Sequence, residues 1–154
     1  MASTEIVDIV NKENNVVGMT DVDTAHNEKL MHRVAGVFVF SPDGDLYLQT
    51  GNKYEKLDLS VGGHVQKGES YEQAAQREMH EEIGLNVALT HVSTFLPKEA
   101  RLNHFWAIFT ANGRYPKNGT PFLKSSNNTS RLVFVQTALV MCQVRNVFFS
   151  GYNN

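Results

Sequence analysis

Short runs of alternating or continuous hydrophobic residues, separated by polar turn segments, recur along most of this chain. Two such runs flank the turn-prone segment 11–15, so we predict an N-terminal hairpin. A strong strand is predicted over 33–40, followed by a turn at 41–44 and a returning strand at 45–49. Further runs predict strands at 86–96 and 104–111, with another candidate strand at 131–135.

One segment instead shows the period of a helix. Ser70 is a good N-cap with Gln73 three residues later, and Gly84 is a natural C-cap, so we predict a helix from Tyr71 to Ile83. Its buried stripe is formed by residues at i, i+4 and i+8: Ala75, Met79 and Ile83.

A second, shorter helix is predicted before the first long strand. Asp21 or Asp23 would cap it, and it would carry His26 to Met31. Strands enclosing one well-defined helix, with others flanking, predict an α+β fold or an α/β/α sandwich with a mixed sheet.

Length and composition indicate one globular domain spanning residues 1–154. The chain is 42% hydrophobic, which suits a single core. No segment approaches 18 uninterrupted apolar residues and the N-terminus lacks a signal-peptide pattern, so we expect a cytoplasmic protein without membrane contact. The single cysteine, Cys142, permits no internal disulfide and is expected to be a buried apolar thiol.

Charge is distributed unevenly along the chain. The net charge is only −2, which argues against nucleic-acid binding, and every acidic residue lies at or before Glu99. The basic residues that follow could form a phosphate-binding surface, although dispersed charges of this kind are more often ordinary solvated side chains.

The predicted main helix carries a cluster of carboxylates. At 3.6 residues per turn, Glu78 lies beside both Glu81 and Glu82, and we call these three residues the carboxylate cluster. Like charges at this spacing repel, so a cation should compensate them, and carboxylate oxygens are ligands suited to Mg²⁺ or Mn²⁺. The alternative is a solvated charged face, which is the more common explanation of a Glu-rich helix.

The spacing of residues in the whole segment 63–85 favours a metal site over a solvated charged face. It contains Gly, five residues, Glu, seven residues, and then Arg-Glu-apolar-x-Glu-Glu-x-Gly-apolar, and thereby resembles the Nudix box of the Nudix hydrolases. The resemblance implies a strand-loop-helix-loop unit that binds a divalent metal and cleaves a diphosphate linkage in a nucleoside-diphosphate-type substrate. It further implies that the metal ligands are the carboxylate cluster, Glu78, Glu81 and Glu82, together with the carbonyl next to Gly63. Structural roles are implied for Glu69 and Arg77, as an ion pair, and for Gly84.

Three runs of the chain are VDIVNKENNVVG, AHNEKLMHRVAGVFVF and LDLSVGGHV. With them, residues 5 to 111, about two-thirds of the chain, resemble the isopentenyl-diphosphate-isomerase-like branch of this superfamily. In the isomerases, two histidines before the first long strand, one after the glycine preceding the box, and acidic residues on a later strand bind a metal. His26, His32 and His64 match the three histidine positions, which makes them candidate ligands of an additional metal. The alternative is that His32 caps a helix end and His64 hydrogen-bonds the box loop.

Two positions depart from the isomerase pattern. The catalytic cysteine position falls on Gly62, and the glutamate position on the later strand falls on His104. Isomerisation needs a proton donor and an acceptor on opposite faces of the substrate, and both groups are missing. A hydrolase is therefore favoured over an isomerase.

The C-terminal segment 112–154 does not resemble the branch, and we expect it to be divergent or incomplete. Since nothing acidic follows Glu99, either Glu99 or His104 would have to supply a further metal ligand or base. Three hypotheses stay open: a metal-dependent diphosphate hydrolase, an isoprenoid-diphosphate isomerase, and a non-catalytic nucleotide-binding module. The expected partner is a small-molecule diphosphate, and the sequence leaves open a homodimer.

Overall fold

A mixed β-sheet is the main structural element of the fold. The computed structural model describes residues 5–47, 49–50, 57–97, 103–114 and 122–123. In chain order the elements are β1 (Ile6–Val10), β2 (Val16–Asp21), α1 (Val22–Asn27), β3 (His32–Phe40), β4 (Leu46–Tyr47), β5 (Gln49–Thr50), β6 (Leu57–Asp58), β7 (Val61–His64), α2 (Tyr71–Ile83), β8 (Leu89–Phe95), β9 (His104–Asn112) and β10 (Phe122–Leu123). The α+β fold predicted from the sequence is confirmed.

The strand β3 lies at the centre of the main sheet. It pairs antiparallel with β1, β4 and β7, and parallel with β9 along its whole length, from His32 opposite His104 to Phe40 opposite Asn112. The N-terminal hairpin is present as β1 paired with β2, and β8 extends the sheet beyond β9. A separate short ribbon is formed by β5 and β6.

The hydrophobic core lies on both faces of this sheet. Because side chains alternate along a strand, odd-numbered residues of β3 face α2 and even-numbered residues face the opposite side. The α2 face contains Ala35, Val37 and Val39 together with Met79 and Ile83 of the helix. The opposite face is filled by another cluster: Val34, Phe38, Phe40, Leu46, Leu59, Trp106 and Ile108.

The helix α2 has the caps that the sequence predicts. The Ser70 hydroxyl accepts a hydrogen bond from the Gln73 backbone amide, the Gln73 side-chain oxygen accepts one from the Ser70 backbone amide, and Gly84 ends the helix at φ 68°. The predicted buried residues Ala75, Met79 and Ile83 are all buried, and Ala74 joins them. Because both ends of α2 are capped at the predicted residues, the position of each glutamate on the helix is also fixed.

The shorter helix differs from its prediction. Asp21 caps it as expected, accepting from the Thr24 amide at 2.9 Å, but the helix ends at Asn27 and not at Met31. The chain leaves the helix at Glu28, and Lys29 takes φ 54°, which allows β3 to begin at His32. Neither described helix is long and apolar enough to span a bilayer.

Candidate functional site

Arg77 organises the carboxylates of α2. Its Nε and Nη2 atoms donate to the two oxygens of Glu69 at 2.9 and 3.0 Å, so the expected ion pair is present and is bidentate. Glu69 also accepts from the Gln66 amide at 3.0 Å. These hydrogen bonds, that from Arg77 first, lower the pKa of Glu69 and fix the loop before α2.

The same guanidinium reaches the carboxylate cluster. Arg77 Nη1 lies 2.8 Å from Glu78 Oε1 and 3.2 Å from Glu81 Oε2, so two carboxylates of the cluster converge on one cation. The ion pair with Glu69 was implied by the resemblance, and the i, i+4 spacing of Arg77 and Glu81 is the local signal that this arginine also offsets part of the charge of the cluster.

Glu78 is the most enclosed member of this cluster. Its side chain is only 14% exposed, against 58% for Glu81, and Glu82 is exposed as well. Burial raises the pKa of Glu78, and the neighbouring Arg77 opposes this effect only in part. Glu78 is therefore a carboxylate that is held out of water with its negative charge incompletely compensated.

The glycine before the box makes room for this carboxylate. A Cβ atom at Gly63 would lie 2.1 Å from Glu78 Oε1, a separation that no real contact shows. Gly63 is paired with Ala35 of β3, so it faces α2, and its lack of a side chain admits the Glu78 carboxylate to the sheet surface. The proposed role of the adjacent carbonyl as a metal ligand stays a prediction.

The donor set on α2 fits a hard divalent cation. Carboxylate oxygens from two successive turns already meet at the position of the Arg77 Nη1 atom, where positive charge is required. Oxygen ligands of this type suit Mg²⁺ or Mn²⁺, with substrate phosphates completing the coordination.

A separate group of titratable side chains lies on the other face of the sheet. His26 of α1, His32 of β3, His64 of β7 and His104 of β9 offer ligand nitrogens that all lie within 4.8 Å of one another, and we call them the histidine cluster. His32 is directly opposite His104, and His64 is opposite Val34, so these three side chains share the even-numbered face of β3.

The histidine cluster is mostly buried, and burial favours the neutral form of His26, His32 and His104. The exposed fractions of His32, His64 and His104 are 1%, 5% and 6%, and His26 is half-buried. Burial is the main cause that lowers the pKa of His32 to about 4 and that of His104 to about 2, with the neighbouring imidazoles adding to the effect at both rings. Burial also lowers the pKa of His26. Neutral imidazole is the form that binds metals.

A hydrogen bond fixes the orientation of one ring, and a carboxylate faces another. His32 Nδ1 is 2.8 Å from the Leu30 carbonyl, to which it can only donate, so its Nε2 carries a lone pair. Within the described residues, the buried Nε2 atoms of His32 and His104 have no hydrogen-bond partner. On the outer side, His64 Nδ1 lies 3.6 Å from Glu5 Oε2. Glu5 was not among the predicted site residues, because no local signal in the sequence marks it.

The predicted site residues therefore fall into two groups. Glu69, Arg77, Glu78, Glu81 and Glu82 lie on or before α2, and the four histidines lie together across the sheet. The additional candidate Glu99 and the thiol of Cys142 lie outside the described residues, as does the candidate strand at 131–135.

Comparisons with known proteins agree with the box and with the branch. The chain is 34% identical over 118 residues to an uncharacterized Nudix hydrolase of Nostoc sp., covering 71% of this chain and 70% of that protein. It is also 36% identical over 97 residues to isopentenyl-diphosphate Delta-isomerase 2 of Photorhabdus laumondii, covering 60% of this chain and 55% of that protein. The chain thus spans only about half of the isomerase that it matches.

The fold agrees as well. The crystal structure of DR0079 from Deinococcus radiodurans superposes with a TM-score of 0.64 at 28% identity, covering 87% of this chain and 89% of that one. The model of the NUDIX domain matches residues 30–135, a range that contains the box, the central strand and three of the four clustered histidines. With its motif, its fold and its relatives in agreement, the chain belongs to the Nudix family.

Proposed function

We propose that this chain is a divalent-metal-dependent hydrolase that cleaves a diphosphate linkage in a nucleoside-diphosphate-type substrate. The observation that carries the proposal is the convergence of Glu78 and Glu81 on a single cationic atom, Arg77 Nη1, beside a glycine that makes room for Glu78. A bound divalent ion supplies positive charge that neutralises the diphosphate and favours attack by water at phosphorus.

The residues of the chain have distinct parts in this proposal. Glu81 and Glu82, exposed on α2, can present oxygens to a metal ion that also contacts substrate phosphate. Glu78 has a raised pKa because of its burial, so its carboxylate accepts a proton more readily than an exposed glutamate does. Glu69 positions Arg77, which in turn holds the carboxylates in place.

The test is a substrate screen with product analysis. Purified protein would be incubated with nucleotide sugars, dinucleotides, coenzyme A and nucleoside triphosphates, with Mg²⁺ or with EDTA, in ¹⁸O-labelled water. We expect Mg²⁺-dependent hydrolysis of at least one class with the label in a phosphate product, and no hydrolysis in EDTA. Hydrolysis that is insensitive to EDTA would contradict the proposal.

The second candidate is an isoprenoid-diphosphate isomerase, which the identity to the Photorhabdus enzyme favours. Against it, Gly62 offers no thiol and His104 no carboxylate at the positions where the isomerases use them. We expect no deuterium exchange from solvent into isopentenyl diphosphate. Gly62→Cys alone should not create it, although a Cβ there meets its nearest atoms at an ordinary 3.6 and 3.7 Å. Exchange by the unmodified protein would promote this alternative.

A further inference from the structure

The loop before α2, residues 65–69, is held by a strand from the beginning of the chain. Asp8 of β1 accepts a hydrogen bond through its carboxylate from the Gly68 backbone amide at 2.9 Å, although the two residues lie 60 positions apart in the sequence. The Ile6 carbonyl accepts another from the Lys67 amide at 2.8 Å. Two successive amides of this loop therefore depend on β1.

We propose that Asp8 is a positioning residue for the carboxylate cluster, an inference that rests on the proposed function. Asp8 fixes Gly68, which directly precedes Glu69 in the chain. Glu69 holds Arg77 through both carboxylate oxygens at 2.9 and 3.0 Å. Arg77 in turn lies 2.8 and 3.2 Å from two members of the carboxylate cluster. Loss of the contact made by Asp8 therefore reaches the proposed metal ligands through the loop and one arginine.

The backbone amides of the loop show why this one side chain matters. Every amide from residue 65 to residue 70 has an acceptor: for 65 the Arg33 carbonyl, for 66 the Glu69 carboxylate, for 67 the Ile6 carbonyl, for 68 the Asp8 carboxylate, for 69 the Gln66 carbonyl and for 70 the Gln73 side chain. Among these acceptors, Asp8 alone is a side chain from outside segment 63–85. Backbone acceptors remain in any variant, so Asp8 is the contact from β1 that a substitution can remove.

Gly68 makes the loop dependent on an outside contact. Its φ is 79°, a left-handed value, and a Cβ atom at this position would meet nothing within 4 Å. The glycine therefore serves the backbone conformation and not close packing. Because glycine populates positive and negative φ about equally, residue 68 does not select this conformation by itself. The hydrogen bond to Asp8 favours the positive value, and a charged acceptor makes that bond stronger than a neutral one would.

The alternative is that Asp8 contributes only to the stability of the fold. Its hydrogen bond to the loop is exposed, so losing that bond should change the Tm little. The same hairpin also contacts α2 independently, because Asn14 in its turn donates to the Tyr71 hydroxyl at 3.1 Å and accepts from Arg33 Nε at 2.8 Å. These contacts remain when the Asp8 carboxylate is removed. An effect on Arg77 without a general loss of stability would therefore separate positioning from folding.

The first test follows hydrogen exchange by NMR in metal-free, ¹⁵N-labelled protein, and it needs no hydrolase assay. In Asp8→Ala, exchange at the Gly68 amide and at Arg77 Nε–H should be at least tenfold faster than in wild type, because both hydrogen bonds open more often. Asp8→Asn keeps an oxygen acceptor and should stay within about threefold. Glu13→Gln, at an exposed carboxylate of the same hairpin, is the matched control and should exchange as wild type does. Equal exchange at Arg77 in Asp8→Ala and Glu13→Gln would overturn the proposal.

A second variant disturbs the same contact from the side of the loop. Gly68→Ala leaves Asp8 in place but puts a Cβ on a residue at φ 79°, which strains the loop without any steric contact. Exchange at Arg77 Nε–H should again be at least tenfold faster than in wild type. Wild-type exchange at Arg77 in this variant would show that the loop does not transmit the change, and would overturn the proposal.

The kinetic test uses a substrate that the wild type hydrolyses with Mg²⁺. Asp8→Ala should lower kcat at least tenfold with KM within about threefold and Tm within about 3 °C of wild type, because misplaced metal ligands cost most in the transition state. Asp8→Asn should recover kcat to within about threefold. Unchanged kcat in Asp8→Ala, or an equal loss in Asp8→Asn, would overturn the proposal. A wild type without hydrolase activity would refute the proposed function, and the exchange data would still decide whether Asp8 positions Arg77.

Discussion

The polar side chains on the two faces of the central sheet differ in their exposure and in their partners. On the α2 face, negative charges are partly exposed and an arginine of the same helix offsets part of them, with Nη1 at 2.8 and 3.2 Å from two carboxylates. On the other face, four imidazoles are mostly buried, and two of their nitrogens have no partner among the described residues. The α2 face therefore meets part of its charge with a cation of the chain itself, whereas the histidine face leaves two buried polar atoms unsatisfied, at a cost of about 1–3 kcal/mol each.

The difference also separates two kinds of affinity. Exposed carboxylates bind hard ions weakly and share them with substrate phosphate, which suits a catalytic ion that enters with its substrate. Buried neutral imidazoles, by contrast, are nitrogen donors, which suit transition metals better than Mg²⁺. The following predictions test whether the two faces are as different as this comparison requires.

The largest effect should come from removing carboxylates of α2. Glu81→Gln or Glu82→Gln should lower kcat about a hundredfold or more with the fold intact, because each removes a negative ligand from the metal that activates the reaction. Steady-state kinetics with Mg²⁺ would measure this, with circular dichroism as the check of folding. Glu72→Gln, at an exposed glutamate in the first turn of the same helix, is the matched control and should leave kcat within about twofold. Full activity in both cluster variants would disprove the assignment.

The histidine cluster should make metal-free protein sensitive to mild acid. The pKa of His32 is depressed from 6.5 to about 4, so its contribution to stability is present above pH 6.5 and is lost as pH falls towards 4. Between pH 7 and 5 the loss for this residue alone is roughly 2 kcal/mol in the free energy of unfolding. Urea denaturation in EDTA at several pH values in this range would measure it.

The pH window distinguishes histidines from carboxylates. The pKa values of Glu5 and Glu69 are lowered from 4.5, so their contributions are lost only below that pH. A His32→Gln variant should show a flatter profile between pH 7 and 5 than wild type. Stability of the metal-free wild type that is constant over this range would mean that the cluster is not buried in its neutral form.

A smaller loss is expected from a change at the glycine beside Glu78. Gly63→Ala would place a Cβ 2.1 Å from Glu78 Oε1, so the carboxylate must leave its position, and we expect kcat to fall at least tenfold while the fold survives. Gly62→Ala is the matched control, because a Cβ at Gly62 meets only ordinary contacts. Equal activity of the two variants would show that the position of Glu78 is unimportant.

The smallest effect concerns the stability of the α2 face. In EDTA, Glu81→Gln should melt within about 2 °C of wild type, because it exchanges a largely exposed ion pair with Arg77 for relief of repulsion between glutamates. The variant should also gain less from Mg²⁺ added with a phosphate ligand. Differential scanning fluorimetry suffices for both comparisons. A wild type that shows no shift with Mg²⁺ and phosphate would argue against a metal site on this face.

The sequence predicted what is determined locally. The caps of α2 follow from Ser70, Gln73 and Gly84 because each acts on backbone groups within four residues of itself. The end of α1 was wrong by four residues because no strong stop signal follows Asn27. Just after this point Lys29 adopts a positive φ, which could not be predicted because lysine rarely takes this conformation.

The fourth member of the histidine cluster could not be predicted from the sequence, because it depends on the pairing of strands that are distant in the chain. His104 joins His32 only because β3 and β9 pair in parallel with this register, across seventy residues of chain. The resemblance to the isomerases singled out three of the histidines and marked His104 as a departure. In the sheet, His104 lies beside His32 and so becomes a fourth nitrogen donor. This result depends on the order of the strands and on which residues of each strand face the same side of the sheet.

The short strand β7 has a consequence for how this protein can change over time. Its residue His64 offers its ring to one face of the sheet while its carbonyl accepts from Arg77 Nη2 at 2.9 Å, and its neighbour Gly63 faces α2. Inserting or deleting one residue in β7 would exchange the two faces, presenting an imidazole to Glu78 and an empty position to the histidines. We therefore expect natural variants of this chain to keep the length of β7, because a change of one residue would displace groups on both faces of the sheet at once.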